Sequence, residues 1–308
     1  MMFGGGLEQR LRKELARREH FSILLPMPEP VSAPDPKAFR DALRAVVAHA
    51  GATVELHPLM RNGVPAQRSS GLGRLFPIKA PEMSGHDLFF VVADVAIWIA
   101  FHDRPIGDAD EVGRFVNPEA WPGGRTALSS HRAHIEICDL GLMGRRQMSP
   151  PDAAFNRAVA VTAAAAAVVR AAMPLALLWL PARGALAPAD FRDQLARVLA
   201  GRAPLELWMR WFFLRAGEGE RPGVITRGLI PFIGREIEVR PSPRPESEAL
   251  ALAFATASFL IDQRGAVKDG QLVTPVPGLS ARVRLGESRV RRGLQVIELT
   301  IPSPRKAG

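Results

Sequence analysis

Residues 21 to 27 (FSILLPM) form a continuous apolar run that predicts a buried strand, and the alternating prolines from Pro26 to Pro36 end it. Asp35 before Pro36 is a helix start, a side-chain acceptor followed by a proline at the first helical position. Phe39, Leu43, Val46, Val47 and Ala50 then recur at helical spacing, and Gly51 stands where the helix should stop. A second strand is expected over Thr53 to Leu59. From Met60 to Ser84 the pattern turns polar, with Asn62-Gly63 and a Ser-Ser-Gly-Leu-Gly-Arg run, which predicts a long loop. Leu88 to Asp103 is rich in Val, Ile, Phe and Trp and predicts two short strands or one long bent strand. Asn117 to Trp121 predicts a single helical turn.

Arg132 to Leu140 alternates as a strand. Ile135 and Ile137 fall on one face of the expected strand and His134, Glu136 and Cys138 on the other. An Ala-rich helix follows from Ser149 to about Ala172, then a strand over Leu175 to Leu180 and a helix over Pro188 to Ala200. Leu205 to Leu214 is apolar at both alternating positions, as in a strand covered on both sides. In that reading Trp208, Trp211, Phe212 and Phe213 crowd one strand and join Trp179 in the core of the second half. Val224 to Ile230 and Arg235 to Arg240 are strands around Gly234, Pro245 to Asp262 is a helix, and the last forty residues alternate as antiparallel strands. Strand pairs joined too tightly for crossovers point to an α+β fold: mixed, largely antiparallel sheets with packed helices, two similar-sized halves in one compact chain. The expected divisions are a charged helical arm over 1–20, an α+β half over 21–145 and a second over 146–308.

Composition excludes several classes. With 308 residues, 47% hydrophobic and 23% charged, the chain is neither disordered nor fibrous, and its single cysteine, Cys138, forms no internal disulfide. Met1 to His20 has no apolar stretch long enough for a signal-peptide core, and Leu7, Leu11 and Leu15 there form one stripe of an expected charged helix. The apolar regions Leu88 to Phe101 and Ala158 to Leu180 are broken by Asp94 and by Arg170 and Pro174, so no membrane span and a cytoplasmic location are expected. The net charge of +9 favours salt-sensitive contact with polyanions. Arginine dominates the basic residues, however, and tyrosine is absent, as GC-rich coding would produce. The short clusters Arg145-Arg146 and Arg289 to Arg292 lack the interleaved aromatics of a single-strand binder, which argues against a dedicated nucleic-acid site.

Candidate chemistry is thin. His131, His134, Glu136 and Cys138 are all zinc-ligand types, but residues two apart on a strand give little room to converge, and His131 lies at odd separation from His134. The competing reading is a strand with mixed polar residues facing outward or toward a partner. Ser129-Ser130-His131 has the letters of a nucleophile and base without a nucleophile-elbow turn. The acidic loop from Asp103 to Glu111 does not match a calcium loop, and Gly71-x-Gly73 matches neither a dinucleotide fingerprint nor a P-loop. No cofactor is expected. Trp121, between Pro118 and Pro122-Gly123-Gly124, is either a plug over a core edge or an anchor for a partner.

The order of several segments is familiar. Arg132 to Ile137, Leu178-Trp179, Leu207-Trp208, Thr226 to Val239, Phe259 to Ile261 and Val267 to Gly270 resemble the bacterial family catalogued as domain of unknown function 4261. That resemblance covers residues 20 to 275 and transfers no catalytic residue. It implies an immunity-like or adaptor role beside a bacterial toxin or secretion system. The favoured expectation is thus a non-catalytic protein-interaction module with a protein partner, whose surface includes the 60–84 loop, Trp121, His131, His134, Glu136, Arg235, Glu236 and Glu238. A metal-dependent or hydrolytic enzyme using His131, His134 and Glu136, and a polyanion binder using the basic tail, are the alternatives.

Overall fold

A computed structural model describes residues 21–48, 87–107, 109–142 and 149–302, with the backbone alone of three short strands between 54 and 65. The 1–20 arm, Arg145-Arg146 and most of the expected 60–84 loop lie outside the described residues. The architecture is α+β, with two largely antiparallel sheets.

The first sheet has seven strands in the order β2-β5-β6-β7-β1-β8-β9. These are β1 (Ser22–Met27), β2 (Val54–Leu56), β5 (Leu88–Val92), β6 (Val95–His102), β7 (Ala133–Leu142), β8 (Leu177–Trp179) and β9 (Gly184–Leu186). Two further short strands, β3 (Met60–Arg61) and β4 (Val64–Pro65), pair only with each other. Between β5 and β6 both turn residues, Ala93 and Asp94, have positive φ, the tight hairpin geometry that resolves the Leu88 to Asp103 segment into two strands. Helix α1 (Pro36–Val47) begins as expected: the Asp35 carboxylate accepts from Ala38 N at 2.8 Å, and Phe39, Leu43, Val46 and Val47 are buried.

Small helices α2 (Ala109–Gly113) and α3 (Gly124–Ser129) lie between β6 and β7. The long helix α4 (Pro150–Ala171) follows β7 and packs against β7, β6, β1 and α1. Its alanines from 163 to 167 are buried, because a side chain one carbon long lets the helix approach the sheet and its neighbours closely. By length and composition α4 could cross a membrane, but 67% of its apolar window is buried in the fold.

The second sheet has six strands in the order β10-β11-β12-β15-β14-β13. They are β10 (Arg210–Leu214), β11 (Gly223–Arg227), β12 (Glu236–Val239), β13 (Leu272–Val276), β14 (Leu279–Glu287) and β15 (Gln295–Thr300), and only the β12–β15 pairing is parallel. Helices α5 (Pro188–Leu199), α6 (Leu205–Trp208) and α7 (Ile230–Ile233) are connectors, and α8 (Glu246–Asp262) packs on β11, β12 and β13.

Three expectations need correction. Leu205 to Leu214 is not one strand: after Pro204 the chain makes the helical turn α6 and only then enters β10, which is an edge strand with Phe212 exposed. Trp208 and Trp179 are fully buried, whereas Trp211 and Phe213 are half-buried at that edge. The division at 145/146 does not separate the sheets either, since β8 and β9 complete the first one. One core runs through both. Phe21, Trp179, Trp208 and Phe232 stack in sequence, with centroids 5.0 to 5.9 Å apart, and Trp208 Nε1 donates to Thr162 Oγ1 of α4 at 3.0 Å. Finally, Glu236 and Glu238, expected on a partner-facing surface, lie on β12, a central strand.

Candidate functional site

The β7 strand carries the expected alternation: Ala133, Ile135 and Ile137 face the main core, while Cys138 packs with Trp98 and Ala100 on the other side. On that second face His134 lies directly opposite His102 of β6, and their rings stack 4.3 Å apart. His134 Nδ1 donates to Arg104 O at 2.8 Å. Burial, reinforced by the neighbouring His102, pushes the His134 pKa down to about 4, so its ring is neutral at ordinary pH. Glu136 Oε2 stands 3.8 Å from His102 Nε2, too far for a hydrogen bond.

His131 does not join them. It sits in the turn after α3, where Nδ1 donates to Leu128 O at 2.7 Å and Nε2 accepts from Ile106 N at 3.0 Å. Both ring nitrogens are thus spent on backbone groups, which fixes one neutral tautomer and leaves no lone pair for a metal or a substrate proton. The Cys138 thiol donates to Asp139 O, and burial pushes its pKa well up, away from the thiolate that nucleophilic or metal chemistry needs. Among the described residues no three His, Cys, Asp or Glu side chains are grouped so as to hold a metal ion. The enzyme constellation of His131, His134 and Glu136 is therefore not assembled. Trp121 is half-buried against the small cluster of Leu24, Ile106, Val112, Val116 and Leu128, and its ring lies so close over Gly124 that a Cβ there would meet it at 2.6 Å. It is a plug.

The Thr226 to Val239 segment holds the densest polar chemistry. β11 ends at Arg227, Gly228 turns the chain at φ 113°, α7 makes one helical turn, and Gly234 at φ 72° returns it to β12. Ile237 and Val239 face the core beneath α8, so Glu236 and Glu238 face the opposite side of the sheet. Both are buried all the same, at 3% and 2% exposure. Glu236 Oε1 accepts from Gly228 N at 2.8 Å, Leu229 N at 3.1 Å and Ile230 N at 3.4 Å, and Oε2 accepts from Thr226 Oγ1 at 2.8 Å. The carboxylate thus fills the backbone N–H groups at the start of α7. Burial raises its pKa, and those four donors oppose the rise.

Glu238 lies beside Glu298 of β15 and accepts from Ser288 Oγ at 2.5 Å. Glu298 is held by Arg284 through two bonds of 2.9 and 2.8 Å and by Arg289 at 2.9 Å, and the Arg284 guanidinium, first among these, holds its carboxyl below the usual range. Arg235 reaches Gln295 Oε1 at 3.0 Å. The expectation that Glu236 and Glu238 belong to a partner-facing surface with Arg235 is therefore corrected: the two carboxylates are buried internal ties.

Arg227 differs from these arginines. It is half-buried, lies directly opposite Arg210 of β10, and among the described residues has no carboxylate within ion-pair distance. Burial, then the positive fields of Arg183 and Arg291, push its pKa down to about 10. Residues 183, 210, 227 and 291 are too far apart in sequence for any motif to have joined them; the Arg289 to Arg292 run was the one visible trace. His102 was missed for a related reason, since the register that sets it opposite His134 is a tertiary fact.

Comparison with family models, curated proteins and solved structures returns no match.

Proposed function

We propose that this protein acts by binding a protein partner rather than by turning over a substrate. The observation that carries this reading is that, among the described residues, several of the reactive side chains are spent inside the fold: His131 on two backbone groups, Glu236 on three amides and a hydroxyl, Glu298 on two guanidinia, Cys138 as a buried thiol, and His134, Glu136 and His102 are not grouped with a third ligand or a nucleophile. A general base or nucleophile needs a free lone pair within reach of a bound substrate, and the first four groups have theirs occupied. An immunity-like or adaptor role of this kind, in the cytoplasm of a bacterial cell, is what the sequence resemblance to the domain of unknown function 4261 family implies. Affinity purification of the tagged full-length chain from its own cells, followed by native mass spectrometry, tests it. A stoichiometric protein partner is expected; a chain that elutes alone across several growth conditions refutes the reading.

A further inference from the structure

We propose that the surface formed by Arg183, Arg227 and Arg291 is where an acidic segment of a protein partner docks. The proposal rests on the binding reading above and names the chemistry of the contact.

The three arginines come from three separate places: the turn between β8 and β9, the end of β11, and the β14–β15 connection. Their arrangement is built. Arg210 donates to Arg183 O at 2.8 Å, Arg114 O at 2.6 Å and Val116 O at 3.1 Å, which ties the Arg183 turn and the segment after α2 to the first residue of β10. Gly228 is seated so tightly on Trp208 O and Ala182 that a Cβ would meet them at 2.4 and 2.8 Å, which places the end of β11 against the same turn. Arg291 N donates to Ser288 Oγ at 3.1 Å, and that hydroxyl is bonded to Glu238 in the sheet.

Elsewhere the fold matches half-buried arginines with acids, Arg157 with Asp139 and Arg284 with Glu298. Around Arg227 it does the opposite. A half-buried guanidinium has Arg183 and Arg291 nearby and Arg210 at the paired position of the next strand, while the carboxylate that offsets them, Glu236, is already committed to its own four donors, an arrangement that disfavours the isolated fold. Carboxylates brought from outside relieve it. Phe212, exposed at 38%, lies two residues from Arg210 on the same sheet face, with the Arg210 guanidinium 4.7 Å from its ring centre. Arginine beside an exposed aromatic is the usual make-up of a contact anchor. The complementary segment therefore carries several carboxylates and an apolar side chain.

A phosphate group fits less well. It favours converging backbone amides, and the amides of residues 228 to 230 are already filled by Glu236. A single exposed ring offers no stacking ladder for nucleic acid.

The test uses the full chain and a fluorescein-labelled synthetic peptide in which Glu and Asp alternate with Leu, followed by anisotropy at low and physiological salt. Arg227→Gln is expected to weaken binding about tenfold, and Arg183→Gln and Arg291→Gln by about threefold or more each. Arg192→Gln, with the same change of net charge on exposed α5, is expected to leave it unchanged. Absence of peptide binding, an equal loss in Arg192→Gln, or stronger binding of a single-stranded oligonucleotide or inorganic phosphate overturns the proposal. Arg183 and Arg291 are exposed, so their variants report even if Arg227→Gln disturbs folding. The triple variant then separates this surface from the broader reading. A cellular partner that stays bound to it refutes the surface alone, while site-specific peptide binding by a chain with no cellular partner supports the surface and refutes the module.

Discussion

Replacing Glu236 with alanine removes the acceptor of three backbone amides and one hydroxyl at a residue that is 3% exposed. Each buried donor left without a partner costs about 1 to 3 kcal/mol, and because the four sit in one turn that relaxes as a unit, the losses do not add in full. A destabilisation of about 3 to 5 kcal/mol follows, a large share of the roughly 5 to 15 kcal/mol that holds a domain together. Glu236→Gln is the informative companion. Its amide oxygen takes the place of Oε1 and keeps the Gly228 and Leu229 bonds, whereas its NH2 meets Thr226 Oγ1, which already accepts from Ile237 N at 2.8 Å. The threonine proton is then displaced, and the loss is about 1 to 2 kcal/mol, partly offset because a neutral amide has no charge to desolvate. Equilibrium guanidinium unfolding followed by tryptophan fluorescence measures both, since Trp208 stacks on Phe232 of the capped turn at an interplanar angle of 10°. A loss below about 1 kcal/mol for alanine, or equal losses for glutamine and alanine, refutes the capping account.

Three further outcomes are expected. Gly228→Ala destabilises by about 3 kcal/mol or more, because the new Cβ meets backbone at 2.4 Å in a left-handed residue, whereas Gly201→Ala, left-handed in open space, costs about 1 kcal/mol; equal melting shifts for the two contradict this. His134 has a folded pKa below its unfolded one, so its contribution is complete above pH 6.5 and about 3 kcal/mol is lost as pH falls to about 4; the difference between wild type and His134→Asn across that window isolates it from the carboxylates, and a pH-independent difference refutes it. Asp139, fully buried, accepts from Phe21 N, Gly141 N and the Arg157 fork, so Asp139→Ala costs about 3 to 5 kcal/mol in chemical unfolding, and Asp139→Asn combined with Arg157→Met recovers part of the loss.

Local pattern was a good guide wherever one element's own periodicity or cap decided the matter. Asp35-Pro36 and the Phe39, Leu43, Val46 spacing place α1, Ser149 before two prolines starts α4, and the alternation of Ile135 and Ile137 places β7 with the right residues inward. It failed at Leu205 to Leu214, where the residues apart from Glu206 and Arg210 are apolar and suit either helix or strand, and the turn after Pro204 decides.

At the site the division falls in the same place. Alternation correctly set Glu236 and Glu238 on the face away from Ile237, but a polar face reads the same in sequence whether water or the rest of the protein covers it. Strand order made β12 central, the Ser288 to Leu294 connection covered Glu238, and register set His102 against His134 and Arg210 against Arg227. Side-chain period is a property of one segment and is written locally. Neighbours across a sheet come from segments tens of residues away, and only their packing decides whether a charge is solvated, paired or left facing its own kind.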